Sequence, residues 1–87
     1  MQRLDVLEAS FIIKLLSEYT YQDLKRTQIR PYYFATYQKE MLKIESHAKK
    51  YGQLPSFPTF YTFFPDFPNF KVTESFEFLT QHIKDEF

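Results

Sequence analysis

The chain contains no cysteine, no tryptophan and a single glycine, and its formal net charge is zero. Without cysteine there is no disulfide framework and no thiolate metal site. One glycine leaves no Gly-rich loop whose backbone N–H groups could cradle phosphate. A balanced charge is not the composition of a dedicated DNA binder, which carries a strongly basic face. No apolar run approaches the ~18 residues that cross a bilayer. The N-terminal MQRLDVLEAS has no signal-peptide core, because Asp5 and Glu8 interrupt it. A cytoplasmic location is the simplest expectation.

What the chain has instead is aromatic mass. Of 87 residues, 21% are aromatic and 44% apolar. Each buried ring removes ~150–250 Å² from water. That compensates for a length at which a domain buries only somewhat more than ~60% of its unfolded surface. Residues 1–87 are therefore expected to form one folded domain. Its charge is unevenly spread: residues 1–53 carry nine Lys/Arg and six Asp/Glu, whereas residues 54–87 carry two and five.

Helical spacing dominates the pattern. Leu7, Phe11, Leu15 and Tyr19 recur every four residues, with Ile12 and Leu16 beside them, which predicts a helix over about 5–18. Asp5-Val-Leu-Glu8 fits a capping box in which Glu8 reaches back to the cap. Thr20-Tyr-Gln-Asp23 is a second capping signal and starts a short helix through about Thr27. Leu24 and Ile29 are its aliphatic anchors, so the piece is expected to be peripheral.

Pro31 suits a first helical turn. From there Phe34, Tyr37, Met41, Ile44, Ala48 and Tyr51 alternate spacings of 3 and 4, up to Gly52, a left-handed stop. This predicts the longest helix at 31–51, with an intramolecular core face. Lys39, Glu40, Lys43 and Glu45 read as its solvated surface with i,i+4 pairing. Ser56 caps a further helix whose face is Phe57, Phe60, Tyr61 and Phe64. Pro65 ends it, because the residue before proline disfavours the helical region. Phe67 and Phe70 then plug a turn. Thr73-Glu74 opens a last helix with Val72, Phe76, Leu79 and Ile83 on one face. No strand pattern competes, and the fold class expected is all-α, a compact bundle of about five helices. The chain reaches Phe87 without a helix stop, which is consistent with a segment of a longer polypeptide.

Catalytic chemistry finds no foothold. His47 and His82 lie far apart in sequence and in no metal-ligand spacing. The serines lack a nucleophile-elbow context. Two binding features remain. One is the segment LPSFPTFYTFFPDFPNF, residues 54–70, which holds seven rings and four of the five prolines. Phe57, Tyr61, Phe63, Phe67 and Phe70 are its candidate partner-binding residues, since aromatics are enriched in interface hot spots. The other is Lys25, Arg26 and Arg30, a candidate basic contact patch for phosphate or an acidic partner.

Several of these stretches resemble the N-terminal domain of DnaB-like replicative DNA helicases. LEASFIIKLLSE is similar to the first helix of that domain, where a Glu-Ala pair starts an apolar helix. IRPYYFATYQKEMLKI resembles the segment in which an aromatic pair leads into a helix. The remainder, from Tyr51-Gly52 through Pro55, Phe57–Phe64, Phe64-Pro65-Asp66-Phe67 and Val72–Ser75, resembles a phage-type variant of the domain.

The resemblance covers about residues 7–87. It implies the head of a collar on a hexameric ring, in contact with other helicase subunits and with primase or a helicase loader. It implies that ATP and Mg belong to a separate C-terminal domain absent from this chain, so that this chain needs no cofactor and does not hydrolyse ATP. DNA would be engaged only through the full-length ring. It further implies a monomer or weak dimer in isolation. Two other readings stand beside it: a free-standing small phage protein of the same fold that binds a replication partner, and a small helical nucleic-acid binder using Lys25, Arg26 and Arg30.

Overall fold

The computed structural model describes the backbone from Leu4 to Phe87 and the side chains from Val6 onward. Five helices follow one another, α1 (Leu4–Glu18), α2 (Tyr21–Thr27), α3 (Gln38–Tyr51), α4 (Phe57–Phe63) and α5 (Phe76–Glu86), with a 3₁₀ turn at Pro31–Tyr33 before α3. There is no strand among the described residues. The all-α expectation holds. The radius of gyration, 11.8 Å, matches the ~12 Å of a close-packed chain of this length.

α1 is the axis of the molecule. A helix with a single apolar stripe buries one face; here every residue from Leu7 to Ile13 is buried, as is Leu15. Burial all round marks a central helix. It packs along α5, and Phe11 lies between two rings, 5.7 Å from Phe34 and 5.1 Å from Phe76 by centroid. Tyr19 stacks on the same Phe76 at 4.1 Å. Ser10, buried with the rest, donates its hydroxyl to the Val6 carbonyl, so its polarity is satisfied within the helix.

The buried carboxylate of Glu8 links α1 to the chain before α3. It is 1% exposed. Its Oε2 accepts the Ala35 N–H at 2.8 Å, and its Oε1 accepts those of Thr36 and Tyr37 at 2.9 and 3.0 Å. This corrects the local capping box expected at Asp5–Glu8. Leu4 is already helical, so Asp5 lies inside α1 and not at its cap, and Glu8 reaches 27 to 29 residues along the chain. The Asp5 side chain lies outside the described residues.

The same contact explains why the helix expected at 31–51 is broken. Pro31–Tyr33 form only a 3₁₀ turn, Phe34 is extended (φ −95°, ψ 131°), and α-helix begins at Gln38. The N–H groups of residues 35–37 have a carboxylate to bond and do not need helical carbonyls. α3 is consequently 14 residues long and α1, at 15, is the longest helix. The apolar stripe survives the break. Phe34, Met41, Ile44 and Ala48 are buried, whereas Tyr51 is 59% exposed and outside the core.

The other boundaries follow local chemistry. Thr20 and Asp23 form the expected reciprocal capping box on α2. α2 ends at Gln28 with φ +62°, the one non-glycine left-handed residue among those described. Leu24 and Ile29 are core residues, so α2 is anchored and not peripheral. Gly52 ends α3 at φ +76° and donates to the Ala48 carbonyl at 2.7 Å. Ser56 caps α4, with Pro58 in the first turn. α5 starts two residues later than Thr73-Glu74 suggested, because Ser75 supplies the cap, accepting the Phe78 N–H at 3.1 Å.

Glu8→Ala should cost about 3 kcal/mol or more, because three N–H donors lose a charged acceptor. Glu8→Gln should cost less but still above ~1 kcal/mol, since one oxygen becomes a donor facing a donor. The check is the urea midpoint at unchanged m-value; an alanine variant as stable as the parent would refute the brace.

Asp23 generates a pH dependence. Its carboxyl is held below its ordinary value of 3.8, first by the Thr20 N–H, then by the Thr20 hydroxyl and the Arg26 charge. Between the two values the unfolded chain binds more protons than the folded one, so stability falls with falling pH. The advantage of the parent over Asp23→Asn should be fully present above pH 3.8 and should shrink as the pH drops through the lowered folded value. Thermal melts from neutral to acid pH would read it; a gap that widens in acid would contradict the sign.

Candidate functional site

The aromatic segment folds as a small nested core. α4 turns Phe60 inward, where it is 1% exposed. Phe60 meets Phe57 at 6.4 Å, Phe64 at 5.2 Å and Phe67 at 5.0 Å, the first and last edge-on. Edge-to-face pairs of this kind add ~0.5–1.5 kcal/mol each beyond area burial. Phe57 stacks on Tyr61 at 5.5 Å. The Tyr61 hydroxyl donates to the Pro68 carbonyl at 2.9 Å, which ties the loop after α4 back onto the helix. Burial pushes the Tyr61 phenol above its ordinary value.

The five candidate docking rings therefore separate. Phe67 is buried against Phe60 and against Tyr37, 5.0 Å away, so it is core and not a contact residue. Phe57 and Tyr61 are half-buried and packed on the core. Phe63 is 50% exposed and Phe70 37%. Phe70, expected as a plug, lies at the surface instead.

The basic patch also resolves into pairs. Arg30 grips Glu45 through both Nε (3.0 Å) and Nη2 (3.4 Å). This hydrogen bond and the Glu45 charge raise its already high pKa. Arg26 lies 3.4 Å from Asp23, and the Lys25 ammonium rests 4.7 Å from the Tyr21 ring centre. Two of the three charges thus have carboxylate partners. The surface pairing expected within α3 is redistributed too: Glu45 takes Arg30 and Lys49. Lys39 and Lys43 are left without a carboxylate at ion-pair distance among the described residues.

An open cleft of about 970 Å³ lies between the end of α1, the N-terminal end of α2, one face of α3 and one face of α4. Lys43, His47 and Lys50 line it from α3, Phe63 from α4, and Tyr21 and Tyr51 from its ends. None of the described residues lining it is acidic. Lys43 places its ammonium 4.0 Å from the Phe63 ring centre. Lys50 lies 5.4 Å from that of Tyr51, and His47 stands 4.6 Å from the same ring. Sequence reading missed this cleft because Lys43 and Lys50 look like ordinary helix surface and Tyr51 like core. The 4- and 3-residue spacing of Lys43, His47 and Lys50 was the available signal.

Among the described residues, no group of three or more His, Asp or Glu side chains converges to hold a metal ion. Among the described residues, no helix is long and apolar enough to cross a membrane. No family model, curated protein or solved structure matches the chain.

Phe60→Ala should cost about 3–5 kcal/mol, as a large buried ring does. Phe63→Ala should cost under about 1 kcal/mol, losing an exposed cation–π contact. Chemical denaturation of both variants checks the division; equal losses would mean that α4 faces the core differently.

Proposed function

We propose that this chain is a non-catalytic assembly and interaction domain, of the kind that forms the collar of DnaB-like replicative helicases. On this reading its partners are other subunits of the ring and a primase or helicase loader, in the cytoplasm of a bacterial or phage-infected cell. The ATPase of the parent protein, with its ATP and Mg, lies in a separate domain.

The observation that carries the reading is the exposure of Phe63 and Phe70. They belong to a segment whose other rings are buried or half-buried. Exposed rings on a rigid support are the usual anchors of a protein interface. The order of features behind the resemblance supports it as well. An apolar first helix carries the Glu-Ala pair, a helix ends at Tyr51-Gly52, and a short aromatic helix and a serine-capped last helix follow.

Calorimetric titration of this chain with its cognate primase and loader tests the proposal. Saturable binding to at least one is expected, weakened about tenfold or more by Phe63→Ala with Phe70→Ala at unchanged circular dichroism. Absence of binding to both at micromolar concentrations would remove it.

A further inference from the structure

We propose that the cleft along α3 binds single-stranded nucleic acid, with Lys43 and Lys50 on phosphates and Tyr51 and Phe63 stacking on bases. The inference goes beyond the assembly role, shares only Phe63 with it and uses a different probe, so either can fail without the other.

Lys43, His47 and Lys50 follow a spacing of 4 and 3, which places them on one face of α3. At 1.5 Å per residue, the two lysines are about 10 Å apart along the axis. Neither has a carboxylate partner among the described residues, and the described lining of the cleft offers none. This sets them apart from Arg26 and Arg30, whose charges are already engaged.

Each end of the strip repeats one unit, an ammonium with no carboxylate partner among the described residues, set over a ring at least half exposed: Lys43 with Phe63, and Lys50 with Tyr51. A nucleotide carries the complementary unit, one negative charge and one π face. Base–aromatic stacking with a cationic groove is how strands are held without base-edge readout. An acidic peptide would match the two charges but leaves the twinned rings without a reason. A duplex keeps its base faces stacked on one another and cannot present them.

The test is fluorescence anisotropy of a labelled dT8 strand with the full chain. Binding in the micromolar range at ~50 mM salt is expected. The slope of log K against log salt should be about −1.4, two phosphates at ~0.7 each. Lys43→Ala with Lys50→Ala should weaken binding at least tenfold and flatten the slope. Tyr51→Ala should weaken it about tenfold and leave the slope in place. Lys25→Ala with Arg26→Ala, at the other basic cluster, should change neither. No binding, binding that survives loss of both cleft lysines, or equal competition by duplex DNA would overturn the proposal. So would displacement by a Glu-rich peptide combined with indifference to Tyr51→Ala, which would assign the cleft to an acidic protein segment.

Discussion

The fold depends on one carboxylate that has left water. Glu8 sits inside the central helix at a position an apolar side chain could fill, and a buried charge is costly unless hydrogen-bonded. Three N–H donors offset that cost. They come from consecutive residues of a segment that would otherwise expose unsatisfied donors beside the core. One side chain therefore solves two desolvation problems, its own and that of residues 35–37. It also fixes geometry. Charged hydrogen bonds at 2.8–3.0 Å leave little slack in how α1 meets the entry to α3, and α3 carries both the ion pair to Arg30 and the open cleft.

Around this brace the chain manages with one glycine. At the end of α2 it places Gln28 in the left-handed region, where an L-residue other than glycine is strained by roughly 1–2 kcal/mol. Thr27 helps hold that exit, donating its hydroxyl to the Leu24 carbonyl and accepting the Ile29 N–H. Elsewhere proline and serine do the punctuating, at Ser56-Phe57-Pro58 and at Ser75. Rings supply the mass. Phe11, Phe34, Phe60, Phe67 and Phe76 are all in the core, and most of their mutual contacts are tilted or edge-on, which lets flat side chains fill a small volume without parallel gaps.

Local signals were legible and long-range ones were not. The Thr20–Asp23 box, the Ser56 cap, the Pro65 stop and the Gly52 terminus are short-range chemistry, and each appears where spacing put it. The apolar face of α3 was readable because burial has the helical period. The break at Phe34–Tyr37 was not, because its cause lies 27 to 29 residues away on Glu8. The capping-box motif even supplied a local role for Glu8 that competed with the real one. Among the rings, spacing put Phe60 on one face with Phe57, Tyr61 and Phe64 but could not rank Phe63, Phe67 and Phe70. Their exposure depends on how the loop after α4 folds back, through Tyr61 and Pro68.

The charges show the same division between composition and arrangement. In sequence, Lys25, Arg26 and Arg30 form the conspicuous cluster, while Lys43 and Lys50 are scattered among glutamates. Folding reverses their availability. Glu45 is drawn to Arg30 and Lys49, and, two positions from Lys43, it lies on a different face of the helix. A surface ion pair contributes little to stability, commonly under about 1 kcal/mol. Its larger consequence is which cations remain free. On α3 the Glu45 carboxylate serves one side, and Lys43 and Lys50 have no carboxylate at ion-pair distance among the described residues. The neutral composition of the whole chain thus conceals a cleft whose described lining holds two lysines and several rings and no acidic residue. A net charge of zero constrains the far field of a protein, but recognition at contact distance is set by charges that have no partner in the fold.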